Sequence, residues 1–182
     1  DKTLSEYAAP EIIVGGDREV EDFNENEMSI IKCFLENPKI RLTHLARSAN
    51  LNVKTATAIF KNLQKRRVIK GFKYLIDPNK LGIYHFRLFL QLHNVSQEKE
   101  RGLLDYMKDT REVVQINKTV GDWDMEIDIQ SSDKARIRQL IVQIREKFKD
   151  LIETFNLIEF YTYYKKSYLP IHLFNKEGED KQ

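Results

Sequence analysis

The sequence predicts an α+β chain in two parts, an N-terminal winged helix-turn-helix domain followed by a ferredoxin-like βαββαβ domain. Three observations predict it. Apolar residues recur at helical spacing in three runs between Glu25 and Arg66, with a tight turn between the second and third. From Tyr84 on, alternating and helical patterns follow one another as strand, helix, strand, strand, helix, strand. That order is the split β-α-β unit of a four-stranded antiparallel sheet with both helices on one face. Finally, Lys39 to Lys73 holds ten lysines and arginines and no acid, although the whole chain carries a net charge of only +2. A cationic band of this kind is the footprint of a surface that docks on phosphates.

Residues 1–24 carry seven acids against Lys2 and Arg18, and read as an acidic linker with one strand-like patch, Ile12-Ile13-Val14. Glu6-Tyr7-Ala8-Ala9-Pro10-Glu11-Ile12 echoes Ser167-Tyr168-Leu169-Pro170-Ile171-His172-Leu173. The alternative is therefore that this segment is the tail of a preceding repeat. Residues 25–82 form the first domain. Glu25 to Glu36 gives a helix with Met28, Ile31, Phe34 and Leu35 inward, closed by Asn37-Pro38. A second, short helix opens at Leu42-Thr43, where the threonine can cap it, with Leu42, Leu45, Ala46 and Ala49 on one side. Asn50-Leu51-Asn52 supplies the turn, because asparagine tolerates left-handed backbone and Leu51 can plug the core. The third helix runs from about Val53 to Arg66 with Val53, Ala56, Phe60 and Leu63 inward and Lys54, Thr55, Ala58, Lys61, Asn62 and Lys65 outward. Val68 to Ile76 alternates like a strand pair and would be a small wing.

Residues 83–174 form the second domain. The expected strands are Tyr84 to Leu92, Val113 to Val120, Trp123 to Ile129 and Asn156 to Tyr164, and the expected helices run from Ser96 to Asp109 and from Ser132 or Asp133 to Phe148. Gly121-Asp122 is placed in a hairpin turn. Two helices cover one side of such a sheet. The other side, carrying Phe89, Tyr161 and Tyr163, needs a second cover, and another copy of the chain is the simplest one. Residues 175–182 are polar and read as a flexible tail.

Composition narrows the functional classes. Hydrophobic residues make up 41% and charged residues 32%, which excludes a disordered chain. Cys33 has no partner for a disulfide, and no apolar run is long enough to span a bilayer, so a reducing, cytoplasmic location is expected. His44, His85, His93 and His172 show no metal-ligand spacing, no phosphate loop or nucleophile motif occurs, and no metal or cofactor is expected. Asp124, Glu126 and Asp128 recur about 7 Å apart on one strand face, where a solvated or salt-bridged face explains them better than a catalytic carboxylate pair or a Mg²⁺ site.

Met28 to Gly82 resembles the amino-terminal domain of the Lrp/AsnC family of regulators. The residues that carry the likeness are Ile31 to Leu35 with Asn37-Pro38, Leu42-Thr43-His44-Leu45-Ala46, Leu51 through Leu63, Val68-Ile69-Lys70-Gly71-Phe72 and Ile76-Asp77-Pro78-Asn79-Lys80-Leu81-Gly82. Val120-Gly121-Asp122-Trp123-Asp124 is similar to the glycine, acid, aromatic, aspartate turn of the same family's second domain. Together the matches cover roughly Met28 to Pro170.

The resemblance implies a DNA-binding transcriptional regulator, not an enzyme, acting as a homodimer or higher homo-oligomer on double-stranded DNA. It also implies a small effector such as an amino acid, held at Gly121, Asp122, Trp123 and Asp124. On the first domain, Arg41, Lys65, Arg66, Arg67 and Lys70 are expected on the phosphate backbone, and Lys54, Thr55, Lys61 and Asn62 on base edges, with Thr43 and Thr57 on the same surface. Ala58 and Ile59 depart from the family, where arginines are common. That departure keeps open an assembly or partner-binding protein with a degenerate helix-turn-helix. The siroheme decarboxylases, enzymes on a similar scaffold, are a further alternative.

Overall fold

A computed structural model describes residues 13–16, 19–72, 75–167 and 169–174. The Glu6–Ile12 half of the internal echo, Tyr168 in its other half, Lys73 and Tyr74 of the expected wing and the tail 175–182 lie outside the described residues. The chain divides into two compact units at residues 74/75 and 165/166, with 166–182 grouped with the first.

Among the described residues the first unit holds three α-helices, α1 (Glu25–Glu36), α2 (Leu42–Ser48) and α3 (Val53–Lys65). α1 starts in a capping box: Asn24 Oδ1 accepts from the Glu27 amide at 2.9 Å and Glu27 Oε2 accepts from the Asn24 amide at 3.1 Å. Its fully buried residues are Glu27, Ile30 and Cys33; of the four expected inward, Ile31 and Phe34 pack half-buried against the same core, and Met28 and Leu35 are half-buried. An acid among the fully buried residues hides that line from a hydrophobicity pattern. Burial pushes the Cys33 thiol pKa up, with Glu36 adding to it.

α2 buries Leu45 and Ala46, whereas Leu42, expected inside, is 40% exposed. The expected cap is absent too: Arg41 is the N-cap and makes no side-chain capping bond, and Thr43 lies inside the helix. α2 and α3 end in the same way. The Leu51 amide donates to Ala46 O at 2.8 Å and the Asn50 amide to Arg47 O at 3.1 Å, with Asn50 left-handed at φ 54°. After α3 the Val68 amide donates to Leu63 O at 2.9 Å and the Arg67 amide to Gln64 O at 3.0 Å, with Arg67 at φ 59°. Both are Schellman closures built without glycine. On α3, Ala56 and Leu63 are buried and Phe60 packs near Phe34 (ring centroids 5.0 Å apart), while Val53, expected inside, sits in the first turn 45% exposed.

The stretch expected to form the wing is described only in part, since Lys73 and Tyr74 lie outside the described residues; no strand is present among the rest of Val68 to Ile76. The Val68 and Ile69 amides both donate to Leu63 O and so close α3 before the stretch continues.

The second unit contains β1 (Tyr84–Leu92), α4 (Gln97–Asp109), β2 (Val113–Lys118), β3 (Met125–Ser131), α5 (Lys134–Lys147) and β4 (Ile152–Glu159). The sheet order is β2-β3-β1-β4, antiparallel throughout, as the ferredoxin-like reading requires. Alternation sends Leu88 and Leu90 of β1 and Met125, Ile127 and Ile129 of β3 to one face. There they form a single core with Leu103 and Met107 of α4 and Ile137, Leu140 and Ile144 of α5. Ser96 and Asp133 cap the two helices.

Two boundaries move. β2 and β3 are joined by six residues, 119–124, rather than by a two-residue hairpin, because the Thr119 amide donates to Asp124 O at 2.9 Å and its hydroxyl to Trp123 O at 2.6 Å. β4 begins at Ile152 and ends at Glu159 because β1, its partner, pairs from Leu92 back to Phe86. No helix among the described residues is long and apolar enough to cross a membrane.

Candidate nucleic-acid interface

The outward face of α3 follows from its two ends. Asn52 closes the start by accepting the Thr55 amide at 2.8 Å, and the buried pair Ala56 and Leu63 fixes which side faces the core. Lys54, Ala58, Lys61 and Lys65, spaced at four, three and four residues, then form one exposed ridge opposite that pair, with Asn62 exposed at its flank. The ridge spans about 16 Å at 1.5 Å per residue. An α-helix of this kind fits the roughly 12 Å width of a major groove. Arg41, the N-cap of α2, and Thr43 and Arg47 within it are exposed as well.

The structure separates the other expected contacts. Thr57 donates its hydroxyl to Val53 O at 2.7 Å, so that hydroxyl is committed to its own helix, and Thr55 is half-buried. Ile59 is half-buried against the core of the first unit, so it is no vacated reading position; of the two departures, Ala58 alone lies on the surface. Arg67 and Lys70 are exposed, and Lys70 Nζ donates to Ile13 O at 2.6 Å.

Arg66 has a different occupation from the phosphate contact expected of it. Its guanidinium meets Glu21 Oε2 at 2.6 Å and Glu27 Oε1 at 2.5 Å, and lies 5.2 Å from the centre of the Phe23 ring. The hydrogen bond to Glu21 leads the causes that raise its pKa further. Arg66 therefore ties the end of α3 to the start of α1 and satisfies the buried Glu27. Sequence reading missed this clamp, since its partners lie about 40 residues away; the capping-box signature Asn24-x-x-Glu27 was the available signal.

The second unit carries the four residues expected at an effector. Gly121 and Asp122 are exposed at the β2–β3 connection, and Gly121 takes φ 148°. Trp123 packs on Phe89 with ring centroids 5.7 Å apart. Asp124 is already engaged: its Oδ2 accepts from the Leu92 amide at 2.7 Å and its own amide donates to Leu90 O at 2.9 Å. Of the two acids, Asp122 alone offers an exposed carboxylate.

On the sheet face away from α4 and α5 the structure assembles a cluster that sequence reading had only in part. Arg87 spans Asp128 (Nε to Oδ1 2.6 Å, Nη2 to Oδ2 3.1 Å) and Glu126 (3.0 Å), so two of the three alternating acids are salt-bridged, while Asp124 accepts the Leu92 amide instead. His85 is buried beside them, its Nε2 3.4 Å from Asp128 Oδ2 and its Nδ1 2.8 Å from the Tyr163 hydroxyl. Phe160 lies 4.8 Å from the His85 ring and 5.1 Å from the Arg87 guanidinium. Burial alone would raise the Asp128 pKa; His85 and Arg87 outweigh it and hold the carboxyl below its ordinary value. Burial and the neighbouring Asp128 charge push Tyr163 up. Tyr161, expected on this face, is 92% exposed. Among the described residues no cluster of His, Cys, Asp or Glu could hold a metal ion.

Comparison with known proteins agrees with this architecture. No protein-family model matches the chain. The HTH-type transcriptional regulator FL11 of Pyrococcus horikoshii is 26% identical over 118 residues, 65% of this chain and 77% of its own length. The proline dehydrogenase transcriptional activator of Rhizobium radiobacter is 21% identical over 124 residues, 66% and 78% of the two chains. Among solved structures, a transcriptional regulator of Neisseria meningitidis in complex with L-methionine superposes with a TM-score of 0.72 at 12% identity, covering 84% of this chain and 99% of that one. An AsnC family transcriptional regulator from Agrobacterium tumefaciens gives 0.70 at 17% identity, covering 83% and 99%. At such identities the structural matches speak for the fold.

Proposed function

We propose that this chain is a DNA-binding transcriptional regulator of the Lrp/AsnC family whose α3 enters the major groove. The observation that carries the reading is the exposed ridge Lys54, Ala58, Lys61 and Lys65 on an acid-free stretch, opposite the helix's buried face. Lysines on such a ridge displace counterions from the phosphates, and those that reach the groove floor meet guanine acceptors, as Asn62 meets adenine. Lys54, Lys61 and Asn62 are the proposed readers. Arg41, Thr43, Arg47, Lys65, Arg67 and Lys70 are the proposed phosphate contacts, and Arg66 supports the head from within. A regulator of this kind works where its DNA is, in the cytoplasm.

A homodimer or higher homo-oligomer would present two such heads to successive grooves. The sheet face bearing Phe89, Trp123 and the Arg87 cluster, opposite the helices, is the surface proposed for pairing. The loop Gly121 to Asp124 is proposed to hold a small effector such as an amino acid. Asp122 would face the ammonium group, and the methionine complex of the structurally similar Neisseria regulator supports the ligand class. Such a ligand changes DNA affinity only if it favours one assembly state over another.

Selection of sites from random duplex DNA tests the reading. Lys54→Ala and Asn62→Ala should flatten the selected preference at discrete positions, each costing about 1–3 kcal/mol there, whereas Lys65→Ala should weaken all sequences alike. Equal, sequence-blind losses in all three variants would refute the assignment.

A further inference from the structure

We propose that Ala58 is a specificity-determining position that selects a thymine, whose 5-methyl group fills the notch this residue leaves between Lys54 and Lys61. The inference rests on the reading of α3 as the groove-entering helix. Three features of the ridge carry it. Ala58 is exposed at its centre, one turn from a lysine on either side. Its neighbour Ile59 is packed into the core of the first unit and cannot swing out to fill the space. The helix is held in this rotation by Ala56 and Leu63, both fully buried, and by the Asn52 cap, so the Ala58 methyl faces outward.

The two flanking lysines are seven residues apart, about 10 Å along the helix, or about three base-pair steps of 3.4 Å. Their long side chains can reach guanine edges, while in the interval between them the protein offers one methyl group and no hydrogen-bonding atom. Every base edge in the major groove, thymine O4 included, presents acceptors or donors to which such a surface offers no bond, so these groups do not favour one base over another here. Thymine alone presents a methyl group. Packing it against Ala58 removes apolar area from water on both sides, a gain of roughly fourfold in affinity for about one buried carbon.

The test uses the unaltered protein first. Once a preferred duplex has been selected, each thymine is replaced in turn by deoxyuridine, which removes the 5-methyl group and leaves every base-pairing and groove hydrogen bond in place. The expected result is a loss of roughly fourfold at one position per half-site and none elsewhere. Ala58→Arg, a substitution that favours helix, should abolish that methyl dependence and shift the preferred base at the same position to guanine. Indifference to the methyl group at every position would overturn the proposal, as would a methyl effect that persists in A58R. Failure to bind any duplex at low salt would overturn it together with the regulator reading. Sequence-selective binding without a methyl effect would overturn the Ala58 assignment alone.

Discussion

Arg67 takes φ 59° to close α3, a backbone conformation that costs a residue with a Cβ about 1 kcal/mol or more and a glycine almost nothing. Arg67→Gly should therefore stabilise the first unit by about 1 kcal/mol in a denaturation experiment. It should also lower duplex affinity in proportion to one lost phosphate contact. A chain that keeps arginine in a position suited to glycine is retaining the charge at the expense of the backbone, and unchanged DNA affinity in the glycine variant would remove that explanation. Asp128 supplies the second residue-scale prediction. It is buried under Arg87 and His85, and Asp128→Asn exchanges a charge-assisted pair for neutral bonds at a cost of about 2 kcal/mol at neutral pH. Because the folded carboxyl titrates below its ordinary value, its contribution is complete above the unfolded carboxylate range near pH 4. It is lost as the pH falls through the lower, folded value. The stability gap between wild type and variant should close on acidification, and a gap that stayed constant from pH 7 to pH 2 would show that Asp128 is not held in this way.

The elements show what the sequence disclosed and what it hid. α3 was legible because its buried positions are apolar and its outward positions are lysine, asparagine and alanine. The strand of Met125, Ile127 and Ile129 was legible for the same reason, with acids on its other face. The most buried line of α1 was missed because Glu27 occupies a core position, made tolerable by the Asn24 amide and by Arg66 just beyond α3. After α3, Val68 and Ile69 alternate like the start of a strand, while their amides are claimed by Leu63 O. In both cases the deciding partner is a particular backbone or side-chain bond, which periodicity cannot register. The candidate site divided along similar lines: exposure of Lys54, Lys61 and Asn62 followed from helical phase, but the Arg66 clamp, the Thr57 back-bond and the engagement of Asp124 all depend on tertiary placement. Two substitutions separate cap from clamp. Asn52→Ala should cost about 1 kcal/mol of stability through the loss of the Thr55 amide bond. Arg66→Ala should also destabilise the first unit, yet leave the salt dependence of duplex binding as in wild type, whereas Lys65→Ala should reduce its slope by about 0.9. A slope reduced equally by Arg66→Ala would return that residue to the phosphate surface.

For the molecule as a whole, two units divide the proposed work. The first supplies a cationic helix, and the second a sheet with one covered face and one face bearing a buried ion cluster and aromatic rings. Paired through that second face, two chains would place about six to ten lysine and arginine contacts on one duplex. Measurement of duplex affinity as a function of salt tests this account most directly. The predicted result is a fall of three to five decades between 50 and 200 mM salt, with a slope that becomes shallower when Lys54, Lys61 and Lys65 are replaced by alanine together. Affinity that did not change with salt, or that survived the triple replacement with its slope intact, would contradict the claim that the α3 ridge is the DNA-binding surface.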